Sequence, residues 1–152
     1  MSDAYTLALT LLSARELSEA QLRSRLRKRK LDDKDIESAI ARLKEDGTLN
    51  DRRVALAVGR MESAIKGRGR ARAIQKIRQA GIDSDTADAA VRDIFEEVDE
   101  EALLDQAIAR KLRGKTAKEL DDKGKARVVR AVAGQGFRLD AILKRLKLPP
   151  SR

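Results

Sequence analysis

The 152-residue sequence contains no cysteine, no histidine and no tryptophan. It therefore has no disulfide bond, no thiol nucleophile and no imidazole acid or base, and the usual ligands of structural zinc are missing. Most familiar hydrolase mechanisms are excluded with them. We expect a protein that is not an enzyme and that uses no cofactor and no small-molecule substrate.

Aromatic residues and prolines are also scarce. The aromatic residues are Tyr5, Phe95 and Phe137, and the two prolines are Pro149 and Pro150. Single-strand binders usually stack bases on aromatic side chains, so such a platform is not expected here. No run approaches the roughly 18 apolar residues of a membrane span, and the first residues lack the pattern of a signal peptide. We expect no membrane association and a cytoplasmic location.

Positive charge is abundant, with 34 Lys and Arg against 25 Asp and Glu and a net charge of +9. It is concentrated in three stretches, 22–31, 66–82 and, more weakly, 123–130. Arg23, Arg27 and Lys30, at positions i, i+4 and i+7, are predicted to share one outward face of a helix. Such dense like charges repel one another, and an anionic partner relieves the repulsion. The favoured partner is a polyphosphate backbone or an acidic protein groove, without base-specific readout. The candidate binding residues are Arg23, Arg27, Lys30, Arg68, Arg70, Arg72, Lys76, Lys123, Arg127 and Arg130.

Apolar residues recur every three or four positions, which is the period of amphipathic helices, and no strand alternation is present. Ser18 to Gln21 form a capping box, in which a hydroxyl and an amide satisfy the first backbone N–H groups of a helix. The pattern predicts an all-α protein of about nine short helices. Further caps are predicted at Asp32, at Asn50 or Asp51 and at Asp83 or Ser84, and helix ends at Gly47, Gly81, Gly114 and Gly136.

Three sets of apolar residues share one internal spacing of 4, 5, 5 and 4 residues, and the sets are offset by 51 and then 55 residues. Each set follows an amphipathic helix, at about 5–15, 51–65 and 99–113, and the three basic stretches are predicted to occupy homologous positions in the three units. The chain is therefore predicted to be three tandem three-helix repeats, 1–49, 50–98 and 99–148, in one continuous, elongated and curved array. The sets are Leu22, Leu26, Leu31, Ile36, Ile40; Ala73, Ile77, Ile82, Ala87, Val91; and Val128, Val132, Phe137, Ile142, Leu146.

Two apparent motifs and an acidic block are given structural interpretations. The segment 114–116 imitates the end of a phosphate-binding loop, but Ala109 stands where the first glycine is required and no strand precedes it. The segment 67–69 is predicted to be a joint between two helices and a contact loop. The carboxylates of the acidic block 83–105 cluster at predicted helix starts, where the helix dipole stabilises them. The alternative is that they form a patch for a basic protein partner. The acidity of the block also argues against a helix-turn-helix that reads bases.

Several segments together resemble the RecX family, the regulators of the RecA recombinase. The resemblance is carried by residues 11–15 and 18–22, by Gly47-Thr48-Leu49-Asn50-Asp51, by 69–82 and by Gln135-Gly136-Phe137. It extends from about residue 5 to residue 146. The chain departs from the family pattern at Thr48, Gln21 and Val54, and these look like core or cap substitutions.

The resemblance implies a curved body of three three-helix repeats that lies in the groove of a RecA filament on DNA. It implies inhibition of filament growth, of ATP hydrolysis and of strand exchange, with the ten basic residues contacting RecA and DNA. Composition alone leaves an alternative open. On that alternative, the protein is a stand-alone DNA-binding or architectural protein without sequence specificity.

Overall fold

The computed structural model describes residues 3–150, and within them it contains nine α-helices and no strand. The predicted all-α class is confirmed. A π-helical turn, Met61–Ile65, continues α4, and a short 3₁₀ turn, Ala117–Glu119, precedes α8. The helices are α1 (Asp3–Ala14), α2 (Glu19–Lys28), α3 (Asp33–Glu45), α4 (Asp51–Arg60), α5 (Arg70–Gln79), α6 (Ser84–Glu97), α7 (Glu100–Leu112), α8 (Asp122–Gly134) and α9 (Leu139–Arg145).

The predicted helix caps are present. The Ser18 hydroxyl accepts from the Gln21 N–H at 3.1 Å, and the Gln21 side chain accepts from the Ser18 N–H at 3.0 Å. Asp32, Asn50 and Asp83 cap α3, α4 and α6 by accepting backbone N–H groups. The cap of α4 is therefore Asn50 rather than Asp51, and the cap of α6 is Asp83 rather than Ser84. The chain therefore starts these helices at positions that local sequence specifies.

The cap of α6 has a measurable electrostatic signature. The Thr86 hydroxyl, at 2.7 Å, and then the Thr86 N–H hold the pKa of Asp83 below its ordinary value. We expect Thr86→Val to raise the pKa of Asp83 towards that value, as followed by NMR titration of the carboxyl carbon. The folded-state pKa is the depressed one, so the cap stabilises the fold above the unfolded-state pKa and is lost as pH falls through the folded-state pKa.

Asp46 is the internal control for that titration, because Thr48 lowers its pKa in the same way. The Asp46 titration is expected to stay unchanged in Thr86→Val. If Asp83 also titrated as in the wild type, the hydroxyl would not be the cause of its low pKa.

Three hydrophobic clusters form the core, one within each set of consecutive helices. Packing between helices is concentrated inside the sets α1–α3, α4–α6 and α7–α9. Of the fifteen apolar positions with repeated spacing, fourteen are buried and Leu31 is half-buried. The tandem three-helix architecture is therefore present, while the proposed divisions after residues 49 and 98 stay predictions.

Neighbouring repeats are joined twice by the same kind of contact. The residue before the second helix of one repeat meets the turn that ends the second helix of the next repeat. The Ser18 hydroxyl donates to the Ala80 carbonyl, and the Gly69 N–H donates to the Gln135 carbonyl at 2.9 Å. Ser18 and Gly69 differ by the repeat offset of 51, and Ala80 and Gln135 by that of 55. The two joints therefore use equivalent positions.

A glycine follows the accepting carbonyl in both joints, at positive φ. A Cβ atom on Gly81 would lie 2.6 Å from the Ala20 Cβ, and one on Gly136 would lie 2.5 Å from the Arg72 backbone nitrogen. No side chain fits at those distances. The equivalent position in the first repeat is Lys30, which also has positive φ, at 59°, and is exposed. It forms no joint with another repeat in the part of the chain that the structure describes.

Between residues 3 and 150, no helix has the length and apolar character needed to cross a membrane.

Candidate nucleic-acid interface

The first basic stretch is partly neutralised by acids from other turns of the repeat. Arg23 contacts both carboxylate oxygens of Glu37, at 2.6 and 3.0 Å, and also contacts Glu19 at 3.1 Å. The Glu37 carboxylate raises the pKa of Arg23, and Arg23 lowers the pKa of Glu37. Arg27 lies 3.6 Å from Asp33. The sequence window 22–31 contains no acid, but the folded surface around it does.

Lys30 does not continue the stripe predicted for Arg23 and Arg27. The prediction placed all three on one face of a helix, but α2 ends at Lys28 and Lys30 adopts the left-handed conformation in the following turn. Its ammonium forms no ion pair with any carboxylate that the structure describes. Lys30 is therefore a cation in the turn after α2, without an ion pair to a described carboxylate, rather than a member of a helical stripe.

The second basic stretch carries two groups of ion pairs. Glu62 is surrounded by Lys66, Arg68 and Arg72, at 3.2, 3.6 and 3.9 Å. Arg70 is held by a second carboxylate, that of Glu100, which contacts its Nε at 3.2 Å and accepts from its backbone N–H at 2.9 Å.

The Arg70 guanidinium also lies 5.1 Å from the centre of the Phe95 ring. Arg70 is therefore engaged on two sides, whereas Lys76 forms no ion pair with the carboxylates of residues 3–150.

The third basic stretch, predicted to be the weakest, is the least neutralised. Lys123, Arg127 and Arg130 are exposed, and none of them is ion-paired to a described carboxylate. They lie along α8, the second helix of the third repeat. Free cations on a helix surface attract phosphate without a preceding step in which an internal carboxylate is displaced.

A groove beside α8 contains basic residues that the sequence analysis missed. Its volume is about 440 Å³, and no acid lines it. Its apolar part includes Leu112, Leu120 and Val128, and its basic side chains are Lys111, Arg113, Lys115 and Arg127. The segment 110–115 carries four bases and no acid, so the criterion used for the other stretches would have found it.

The basic positions are not equivalent in all three repeats, contrary to the prediction. Arg72 and Arg127 do correspond, at the offset of 55, but their equivalent in the first repeat is Gln21. Arg23 corresponds to Ile74 and Val129. The offsets are set by the buried residues, and the residue types between them differ from repeat to repeat.

The acidic block supplies partners for cations on other helices. Asp93 pairs with Arg52, and Asp105 pairs with Arg145 at 3.2 Å. Asp83 and Asp99 cap α6 and α7, as the helix-start interpretation predicts. Within residues 3–150 no group of three acidic side chains is placed to hold a metal ion. These four acids therefore act in this structure as caps and as counter-charges.

The chain is similar to regulatory proteins along most of its length. A family model described as RecX, first three-helix domain, matches residues 4–43. The regulatory protein RecX of Syntrophotalea carbinolica is 33% identical over 137 residues, which cover 90% of this chain and 89% of that relative. The regulatory protein RecX of Pseudomonas entomophila is also 33% identical, over 89% of this chain and 84% of its own length.

Solved structures agree with the fold. The crystal structure of RecX from Lactobacillus salivarius matches 95% of this chain and 94% of its own, with a TM-score of 0.78 and 19% identity. A second crystal structure, of regulatory protein RecX, matches 95% of this chain and 70% of its own, with a TM-score of 0.80 and 19% identity. The relatives establish what the segments at 11–22, 47–51 and 135–137 indicated: the chain belongs to the RecX family of regulatory proteins.

Proposed function

We propose that this protein regulates the RecA recombinase by binding in the groove of its filament on DNA. It inhibits ATP hydrolysis by RecA, filament growth and strand exchange, and it does so in the cytoplasm without catalysing a reaction itself. The observation that carries the proposal is the family relationship. The similarity to the Syntrophotalea carbinolica relative covers about nine-tenths of this chain and of that protein. The RecA partner comes from the resemblance of the sequence to that family.

The arrangement of repeats supports this mode of action. Each repeat, at 1–49, 50–98 and 99–148, is proposed to be one contact unit, so that three weak contacts act together through avidity. The cations without ion pairs to described residues, Lys30, Lys76, Lys123, Arg127 and Arg130, are available for DNA or for an acidic RecA surface. The ion-paired residues Arg23, Arg27, Arg68, Arg70 and Arg72 complete the proposed surface.

The test is inhibition of the ATPase of a RecA filament as it assembles on DNA. We expect inhibition at amounts well below one protein per RecA subunit, because one bound molecule impedes the growth of a whole filament. Simple competition for free DNA requires much more protein, since it must cover the DNA. Inhibition that appeared only at DNA-covering amounts would contradict the filament mechanism.

The groove beside α8 supports a second candidate, a stand-alone DNA-binding protein without sequence specificity. Its four cations and its lack of acids are what a phosphate backbone requires. This candidate predicts that binding to a RecA filament is no tighter than binding to bare DNA at the same salt concentration. A titration of both substrates under identical conditions separates the two functions.

A further inference from the structure

Glu62 is a buried carboxylate whose role the proposed function does not explain. Its side chain is only 2% exposed, and neither carboxylate oxygen has a hydrogen-bond partner in the described structure. A buried charge is costly unless nearby opposite charges compensate it. Lys66, Arg68 and Arg72 supply that compensation at 3.2, 3.6 and 3.9 Å.

The three cations remain accessible while the carboxylate does not. The side chains of Lys66, Arg68 and Arg72 are 48%, 31% and 29% exposed. The three cations and the one carboxylate have a combined charge of +2. Because the carboxylate is buried and the cations are partly exposed, an anion that approaches from the solvent is attracted to the cluster. Because no hydrogen bond of good geometry reaches Glu62 from the described residues, this carboxylate attracts the cations without occupying their N–H donors.

The backbone holds this cluster at a fixed place in the fold. Glu62 lies in the π-helical turn, and π-helical turns occur frequently at functional sites. The Arg68 N–H donates to the Glu62 carbonyl at 2.8 Å, so the loop returns over the turn that carries the carboxylate. The N–H of the next residue, Gly69, donates to the Gln135 carbonyl in the joint with the third repeat. The cluster therefore lies where the second and third repeats meet.

We propose that Lys66, Arg68 and Arg72 form a preorganised site for a nucleic-acid phosphate, and that Glu62 is its positioning residue. The inference rests on the proposed function in one respect, that the protein works on DNA. Arginine and lysine donors in a fixed arrangement bind phosphate oxygens through charge-assisted hydrogen bonds. Glu62 holds the three side chains together against their mutual repulsion, and it thereby reduces the entropy that these side chains lose on binding.

The decisive variant is Glu62→Gln, because positioning and simple neutralisation predict opposite signs. If Glu62 only neutralised the arginines, its removal would add a positive charge and tighten binding. If it positions them, we expect binding of a fluorescein-labelled duplex DNA to weaken about tenfold, which corresponds to the loss of about one charge-assisted hydrogen bond between the displaced cations and a phosphate. The dependence of log affinity on log salt is expected to become shallower, by about 0.9 for each phosphate that the variant no longer neutralises.

Glu100→Gln is the matched control. It makes the same charge change and releases Arg70, but Glu100 is 30% exposed and lies outside the cluster. We expect this control to bind DNA as tightly as the wild type or more tightly, with no shallower salt dependence. If Glu62→Gln behaved like Glu100→Gln, the positioning role would be wrong. Wild-type inhibition of the RecA ATPase without duplex binding would also overturn the phosphate site, while leaving the proposed function in place.

A second comparison keeps the inference testable if Glu62→Gln does not fold. The first double variant carries both Arg68→Gln and Arg72→Gln. It is compared with a second double variant that carries both Arg25→Gln and Arg29→Gln. Both double variants lose two charges, but Arg25 and Arg29 are exposed cations of the α2 region without an ion pair to described residues. We expect the first pair to lose at least tenfold more affinity than the second, although its arginines are the ion-paired ones. An equal or smaller loss would overturn the site.

Discussion

Gly136→Ala is expected to lower the free energy of unfolding by roughly 3 kcal/mol, the sum of backbone strain and overpacking. Gly136 has a φ of +100°, and a Cβ atom there would lie 2.5 Å from the Arg72 backbone nitrogen and 2.9 Å from the Gly69 carbonyl oxygen. Urea unfolding followed by circular dichroism measures the change. Since the clash lies in the joint, we also expect the third repeat to unfold separately from the other two.

Two other glycines separate the causes. Gly47 also has positive φ, at +80°, but its added Cβ would meet nothing within 4 Å, so Gly47→Ala measures the backbone strain alone, about 1 kcal/mol. At Gly69 the φ is −81°, while a Cβ would lie 2.5 Å from the Gly136 carbonyl oxygen, so Gly69→Ala measures the clash alone. If Gly136→Ala cost no more than Gly47→Ala, the joint would tolerate a side chain and our account of it would be wrong.

Reversing Lys123, Arg127 and Arg130 to glutamate is expected to weaken duplex DNA binding about hundredfold at moderate salt, because three attractions to phosphate become three repulsions. The net charge falls from +9 by three reversals of two units each, to +3. Since these side chains have no ion pair with described residues, the fold should keep its helical content. We also expect weaker inhibition of the RecA ATPase. Fluorescence anisotropy and a coupled ATPase assay measure the two effects.

The control for this triple variant changes the same charge elsewhere. Lys34, Arg92 and Lys144 are exposed cations without ion pairs to described residues, and each lies on the third helix of its repeat, α3, α6 and α9. Reversal of these three to glutamate tests the effect of net charge alone. If both triple variants lost the same affinity, α8 would hold no special place in the interface.

The fold was predictable because its determinants are local. The capping box at Ser18, the caps at Asn50 and Asp83 and the repeated apolar spacing each depend on residues a few positions apart. Such signals survive in a single sequence because helix starts and buried faces are specified within one or two turns. The glycines that form the two joints, at 81 and 136, also lie at equivalent positions of the repeat.

The electrostatics of the candidate site were not predictable in the same way. Glu37 reaches Arg23 from the next helix, and Glu100 reaches Arg70 from thirty residues further along the chain. A count of charges in a window does not include such partners. In the third repeat the count of charges underestimated the basic surface. The cations of the stretch 123–130 form no ion pair with described carboxylates, and Lys111 and Arg113 from another segment lie beside them in the groove. The degree to which a cation is neutralised in the folded state depends on the charges that lie near it in space.

Lys30 has a consequence for how long such an array can become. Where the second and third repeats accept a neighbour, the left-handed position is glycine, and in the first repeat it carries a lysine side chain. At Gly81 and Gly136 the neighbouring repeat places Ala20 and Arg72 within 2.6 Å of where a Cβ atom would lie, so a further repeat docked in the same way would meet the Cβ of Lys30. Lys30 therefore disfavours the docking of a further repeat on this side of the first repeat. A design that lengthens the array at this end would first replace Lys30 by glycine.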